Sequence, residues 1–284
     1  MAGGCAHPRP AFDADRAFAD LTAQTQFGPR VPGTEAHRRC AGWLAAQLAS
    51  RADSVWEQAF VGVLPGTADS VAMVNIVARF VPQAKRRVLV GAHWDTRPYA
   101  DMDPDSVKRT HSFPGANDGA SGVAIALEIA RALDSLPPPI GVDLVLFDGE
   151  DAGDYGRTPG LWCQGSSYYA AHLPAQYGWV IVIDMVGDKD LRLPQEAYSL
   201  RLARKLADRV WSTAAKLGET AFVQGRGPEV FDDHIPFLMR GIPAIDVIDI
   251  DYAFWHTADD AVDKCAPSSL GAVGRVLIET LYSE

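Results

Sequence analysis

No stretch of the 284-residue chain approaches the roughly 18 uninterrupted apolar residues that a membrane-spanning helix needs. A transmembrane helix is therefore excluded. Positive charge is in short supply as well. The chain has 26 Lys and Arg against 36 Asp and Glu, a formal net charge of −10, which argues against a general nucleic-acid surface. Cysteine is sparse: Cys5, Cys40, Cys163 and Cys265 are widely scattered. No CxxC pair occurs, so the pattern of a thiolate zinc site is missing. Two bridges or four isolated, mostly buried thiols fit that spacing equally, and the redox compartment stays open. Internal repeats and low-complexity blocks are absent. What is there is ordinary globular material: 48% hydrophobic and 22% charged residues, which rules out a mainly disordered chain. A chain of this length can bury a large core without covalent staples.

The opening Met-Ala-Gly-Gly-Cys5 places small residues before a cysteine, as a lipoprotein processing site does. No charged segment and apolar stretch precede it, so residues 1–12 read as a flexible N-terminal arm. The rest, 13–284, reads as a single α/β catalytic domain. A helix is expected from Asp13 to Thr25 with Asp13 as N-cap, and a second from Thr34 to Ala49. Between them Phe27-Gly-Pro-Arg-Val-Pro-Gly33 is a rigid turn by composition. Five short apolar runs read as strands: Val71–Phe80, Arg87–Ala92, Val142–Phe147, Trp179–Met185 and Ile242–Ile248. Helices are expected over Ala120–Leu133, Ser166–Ala171, Leu200–Leu217 and Pro267–Tyr282. Strands alternating with helices define an α/β fold, with a twisted, mostly parallel central sheet and helices on both faces.

In such sheets ligands bind just past the carboxyl ends of the strands. Five strand ends or adjoining loops each deliver a His or a carboxylate. Val88-Leu89-Val90 runs into Gly91-Ala-His93-Trp-Asp95-Thr-Arg-Pro98. A long loop then gives Pro114-Gly-Ala-Asn-Asp118-Gly-Ala-Ser-Gly122, which opens a helix. Leu144-Val-Leu-Phe147 runs into Asp148-Gly-Glu150-Asp151, Val180-Ile-Val-Ile183 into Asp184, and the last strand is followed by Trp255-His256-Thr-Ala-Asp259-Asp260. A lone Asp in a loop is usually a cap and a lone His a satisfied polar residue. Five together point to a metal. A catalytic zinc takes three His or carboxylate ligands and leaves a fourth position open, and Asp118, Asp151 and His256 can supply that set. Glu150, adjacent to Asp151, then stands at the rim within reach of a bound water or substrate, the place of a general base.

The set His93-Trp-Asp95, Gly115–Gly122, Asp148–Asp151, Asp184 and His256 resembles the M28-type zinc aminopeptidase superfamily over residues 30–284. That resemblance implies a zinc-aminopeptidase-like fold and two zinc ions. His93 and Asp184 would hold one ion, Asp151 and His256 the other, with Asp118 bridging and Glu150 activating water. Phe231-Asp-Asp-His-Ile-Pro-Phe237, Arg240-Gly-Ile-Pro243 and Trp255-His256-Thr257 are more narrowly similar to glutaminyl cyclases. Phe27-Gly-Pro-Arg30 and Trp162-Cys-Gln-Gly-Ser166 resemble the bacterial members of that branch. Peptidases of the superfamily usually carry Ser where this chain has Asp232 and lack the Trp before the ligand His. Mammalian cyclases usually have Glu where this chain has Asp151.

The cyclase resemblance implies a zinc-dependent acyltransferase, a glutaminyl-peptide cyclotransferase that converts N-terminal glutamine of peptides or proteins to pyroglutamate with release of ammonia. One zinc is then expected, on Asp118, Asp151 and His256. Glu150 is the proton carrier, Asp232 and Asp184 are its partners in an acid network, and Trp255 walls the pocket. His93 becomes a bystander, or the possible ligand of a second ion. The alternative is a dizinc aminopeptidase that removes N-terminal residues, and a third reading is a binder with a dead metal site. Plainer roles are expected elsewhere. Asp232 also suits a helix cap near His234. Asp246, Asp249 and Asp251 read as a solvated acidic run, with Asp246, inside the last strand, a weaker candidate for the acid network; Trp94 and Trp162 read as core or rim, His111 and His234 as structural. The expected compartment for a bacterial protein is the envelope, periplasmic or lipid-anchored at Cys5, with the cytoplasm as alternative. The oligomeric state is left open.

Overall fold

Six strands make one sheet: β1 (Ser54–Val63), β2 (Ser70–Phe80), β3 (Arg87–His93), β4 (Gly141–Phe147), β5 (Val180–Asp184) and β8 (Ala244–Ile248). Their spatial order is β1-β2-β4-β3-β5-β8. The four strands β4, β3, β5 and β8 run parallel, and β2 joins antiparallel to both β4 and β1. A parallel pair, β6 (Leu193–Gln195) and β7 (Phe222–Arg226), forms a small second sheet. The computed structural model describes residues 8–65, 70–153 and 161–283.

The expected mostly parallel sheet is the one observed, and its sequence logic is visible in β3, β4 and β5, which are buried at every position. Successive side chains in a strand point to opposite faces. Val88, Val90, Val142, Leu144, Ile181 and Ile183 therefore pack on one side, with α1 (Ala14–Thr25), α2 (Glu35–Ala49), α3 (Ala120–Ser135), α6 (Arg204–Leu217) and α8 (Pro267–Tyr282). Leu89, Val145, Phe147, Val180 and Val182 pack on the other, against Tyr169 of α4 (Gln164–Ala171) and Phe237 of α7 (Ile235–Leu238). Both faces are covered by helices, as a parallel sheet requires. The expected caps form: Asp13 accepts from Arg16 N, and Thr34 from His37 N.

Several features depart from the sequence reading, the small β6–β7 pair among them. β1 was not anticipated. It is a half-exposed edge strand, so no continuous apolar run marks it. The helix expected over Leu200–Leu217 is two helices, α5 (Ala197–Leu202) and α6, parted at Ala203 (φ −134°), with Glu196 capping α5 through the N–H groups of Tyr198 and Ser199. Of the arm expected over 1–12, residues 1–7 lie outside the described residues. The remainder is tied down: Arg9 pairs with Glu279 at 2.9 Å, and Phe12 lies against Gly274 of α8.

Candidate active site

Because β3, β4 and β5 are parallel, their carboxyl ends meet at one edge of the sheet. His93 is the last residue of β3, Asp184 the last of β5, and Glu150 and Asp151 follow β4 in a tight turn at Gly149. Asp118 sits in the loop that enters α3. That loop needs Gly119, whose φ of +89° suits no other residue, and Gly122, where a Cβ would run into the carbonyl oxygen of Ile183. α3 thus lies tight against β5. His256 comes from the loop after β8.

The expected residues converge in two groups that share Asp118. His93 Nε2 is 3.1 Å from Asp118 Oδ1 and 3.1 Å from Asp184 Oδ1. His256 Nε2 is 3.3 Å from Asp151 Oδ1 and 3.6 Å from Asp118 Oδ2. In each group the ligand-type atoms lie within 4.8 Å of one another, and all five side chains are buried. Asp118 Oδ2 and Asp151 Oδ2 have no hydrogen-bond partner. Buried carboxylate oxygens left without donors are costly in a folded chain. A cation between them would meet that need, so the residues fit a metal.

A second layer holds these side chains in place. Asp95 accepts from Glu150 N and Asp151 N, at 3.1 and 3.3 Å, and stands 3.5 Å from His93 Nδ1. Asp260 accepts from Asn117 N and Asp118 N and from the Tyr252 hydroxyl, at 2.9, 3.2 and 2.7 Å. Arg30, fully buried, donates to the carbonyls of Trp94, Pro114 and Gly115, tying the loop before α3 to the end of β3. Asp148 accepts from Val74 N and meets His37 Nε2 at 2.9 Å. Arg97 and Asp101 lie behind Asp151 and His256. Asp95, Arg97 and Asp260 stand inside the runs that follow the strands, Arg97 with no role assigned to it, whereas Asp101 carries no sequence signal beyond its nearness to His93.

A cavity of about 640 Å³ opens above this floor of Asp118, Glu150, Asp184, Asp232 and His256. Trp162, Trp255, Met185, Ile248 and Phe231 form its walls. Trp255 stands against the His256 ring with centroids 3.9 Å apart. Four described non-glycine residues have positive φ. Three of them border this site: Cys163 (φ 56°), Met185 (φ 47°) and His256 (φ 54°). Strain of this kind collects where a structure over-determines a functional geometry.

The floor is strongly acidic and buried. Burial, reinforced by the neighbouring Asp232 and Asp151 charges, lifts Glu150 well above the usual carboxylate range, although His93 pulls the other way. Burial and the Asp184 charge raise Asp232, and burial and Asp232 raise Asp246 well above its ordinary value. Burial and Asp151 push Asp118 up to about 7. Burial opposes the His256 imidazolium, but Asp151 and Asp101 outweigh it and carry His256 up to about 9. Glu150, Cys163 and Asp232 form a third close group, and the Cys163 thiol donates to Glu150 Oε1 at 3.4 Å.

Several plainer expectations are corrected or refined. Asp232 does not cap α7: its Oδ1 accepts from Asp233 N, and no side chain caps that helix. Asp246 and Asp249 are buried, not solvated, because Asp246 lies in β8 with its N–H on Ser199 Oγ and Asp249 accepts from Arg192 N. Trp94 is core, stacked on His37, whereas Trp162 lies at the cavity wall. His111 is exposed. His234 is fully buried between Glu196 (3.3 Å) and Asp246 (3.9 Å). Cys40, Cys163 and Cys265 are buried free thiols, and Cys5 lies outside the described residues.

The mainly parallel sheet with two His–carboxylate groups at the carboxyl ends of its strands defines an α/β scaffold of the zinc-exopeptidase-like kind. The chain belongs to peptidase family M28, whose model matches residues 75–281. Among solved structures it is similar to a Zn-dependent exopeptidase of Parabacteroides distasonis (37% identity, TM-score 0.94, covering 98% of this chain and 100% of that one). It is also similar to the glutaminyl cyclase of Tannerella forsythia (38%, TM-score 0.92, 97% and 100%). The glutaminyl-peptide cyclotransferase of Bos taurus is 27% identical over 245 residues, which cover 72% of this chain. The match spans 64% of that bovine protein, a little under two thirds of its length.

Proposed function

We propose that this chain is a zinc-dependent glutaminyl cyclase, which closes an N-terminal glutamine of a peptide or protein into pyroglutamate and releases ammonia. The observation that carries the reading is the pairing of Glu150 with Asp232 on the cavity floor, their ligand-type atoms within 4.8 Å, under the indole of Trp255. The similarity to glutaminyl cyclases over nearly the whole chain supports it.

Asp118, Asp151 and His256 would hold the zinc. Bound there, zinc would polarise the γ-carbonyl of the glutamine and favour negative charge on its oxygen. The chain's own residues handle protons and position. The substrate α-amine attacks the γ-carbon, the bond from that carbon to the amide nitrogen breaks, and nitrogen leaves as ammonia. Glu150 takes the proton from the attacking amine and hands it to the departing nitrogen. A carboxylate with a raised proton affinity suits both halves of that transfer. Asp232, raised by burial, shares a proton with Glu150, since like charges held close do not all stay ionised, and Asp184 is a hydrogen-bond partner in that acid network. Trp255 and Trp162 give the flat amide an apolar wall and exclude water. Ring closure within one residue gains mainly from being held in the attacking pose.

A second reading has its own observation. His93 Nε2 stands 3.1 Å from both Asp118 and Asp184, which is a second place for an ion, as a dizinc aminopeptidase requires. Incubation with a peptide that begins with Gln separates the readings. Ammonia with a blocked N-terminus supports the cyclase. Free amino acids instead would give the site to a peptidase, and neither product would leave a binder.

A further inference from the structure

Behind two of the three residues assigned to the metal lies a closed ring of side chains. Arg97, 1% exposed, grips Asp101 with two parallel bonds, Nε to Oδ1 at 2.8 Å and Nη2 to Oδ2 at 2.6 Å. Its remaining nitrogen, Nη1, donates to the Gly153 carbonyl at 2.7 Å and to Asp151 Oδ1 at 3.2 Å. Asp101 Oδ1 faces His256 Nδ1 at 3.4 Å, an ion-pair distance longer than a good hydrogen bond. His256 Nε2 returns to Asp151 at 3.3 Å and completes the circuit. Trp162 closes one side: the guanidinium carbon lies 4.9 Å from its ring centre, and the His256 ring stacks on it at 6.1 Å. The backbone adds a further tie, from Met102 N to the His256 carbonyl at 3.1 Å.

We propose that Arg97 and Asp101 are positioning residues for the metal, a pair that sorts which atom of each ligand is offered to it. The proposal rests on the zinc site assigned above. Arg97 occupies Asp151 Oδ1, and Asp151 Oδ2, buried and without a partner, is the oxygen left over. Asp101 faces Nδ1 of His256 and turns Nε2 inward. Outer partners of this kind fix tautomer and ring orientation in metal sites. Asp151 is a short carboxylate, with one methylene fewer than Glu to reach the site, so its direction has to be set from behind. An Arg does this where a Lys would not, because only a planar fork can hold Asp101 with two nitrogens and still reach Asp151 with the third.

Charge and geometry predict opposite signs for one variant, which makes the test sharp. Removing the Arg97 cation leaves the site more negative, and electrostatics alone would then tighten a divalent cation. Loss of positioning would loosen it. The experiment measures the zinc dissociation constant of the full chain by competition with a chromogenic chelator, together with the visible spectrum of the Co²⁺-substituted protein. We expect Arg97→Met to weaken zinc about 10- to 100-fold and to alter the Co²⁺ bands, with Asp101→Asn in the same direction. Arg97→Lys, which keeps the charge and loses the fork, should weaken zinc too, by less. Lys108→Ala, which removes an exposed 3.6 Å pair with Asp259 on the same loop, should leave affinity unchanged. Zinc held as tightly or more tightly by Arg97→Met would overturn the proposal. If Arg97→Met does not fold, the Lys variant decides: affinity equal to the parent overturns the positioning role. A parent chain that binds no zinc would instead bring down the function assigned above, and this proposal with it.

Discussion

The Cys163 sulfur lies 3.4 Å from Glu150 Oε1, and the Cys163 backbone N–H donates to the Glu150 carbonyl at 2.9 Å. A single residue thus holds the candidate proton carrier by side chain and main chain together. The thiol is fully buried, and burial with the Glu150 charge pushes it well above its ordinary value. A thiol in that state is a poor nucleophile. Alkylation with iodoacetamide at pH 8, mapped by mass spectrometry, should therefore leave Cys163 unmodified in the folded protein and label it after denaturation. Labelling of native Cys163 would show that the floor of the site opens in solution.

Glu150→Gln tests the proton carrier. The amide keeps the shape and cannot cycle a proton. Cyclisation should fall by about 10²- to 10⁴-fold with zinc content unchanged, the range typical for a general acid–base group. Steady-state rates alongside metal analysis check this. A variant that keeps most of its rate would move the proton transfer to another group.

Zinc binding should strengthen as pH rises. Metal ligands must be deprotonated, so binding competes with protons. In the metal-free chain Asp118 is raised to about 7 and His256 to about 9, and both hold protons more firmly than in an unfolded chain. Protons must be displaced from both between pH 6 and 9, so the apparent dissociation constant should fall steadily across that window. The same shifts make metal-free stability fall as pH rises, since each raised group favours the folded state below its unfolded value and loses that advantage on deprotonation. Chelator competition and thermal melts at several pH values measure the two trends. An affinity flat from pH 6 to 9 would contradict the protonation states derived for the site.

Metal count separates the two groups around Asp118. In the cyclase reading the chain carries near one zinc, His256→Ala loses it, and His93→Ala retains it. In the dizinc reading the parent carries two and His93→Ala drops to one. Mass spectrometry under non-denaturing conditions gives the number directly.

Much of this geometry was legible in the sequence because parallel strands advertise themselves. Val88–Val90 and Leu144–Phe147 are apolar throughout since both faces are covered, and the first polar residues after them, His93 and Asp148, mark the edge where ligands collect. The limits have equally physical causes. β1 is half exposed at the sheet edge, so its residues alternate too weakly to stand out. Asp246 and Asp249 carry the residue type of a surface run, yet α5 covers the β8 edge and Ser199 takes the Asp246 N–H. Arg97 and Asp101 are four apart in a loop broken by Pro98, where no helical spacing signals a pair. Their partners, Asp151 and His256, are 54 and 155 positions from them in sequence, and the fold alone brings them together.

The buried acid cluster makes a prediction about stability. Asp246 is fully buried, neither of its carboxyl oxygens has a hydrogen-bond partner, and burial with the Asp232 charge raises it well above the usual range. A raised carboxyl favours the folded chain while it stays protonated and penalises it progressively as pH climbs beyond the value of the unfolded chain. Asn has the same shape, stays neutral and can donate toward Asp232. Asp246→Asn should accordingly melt several degrees higher than the parent at pH 8 and at about the same temperature at pH 4. Thermal melts of the metal-free proteins at both pH values measure the difference. If the variant melts lower at pH 8, Asp246 is held as a charged group by a partner such as His234, and the cluster is stabilised by ion pairing and not by a retained proton.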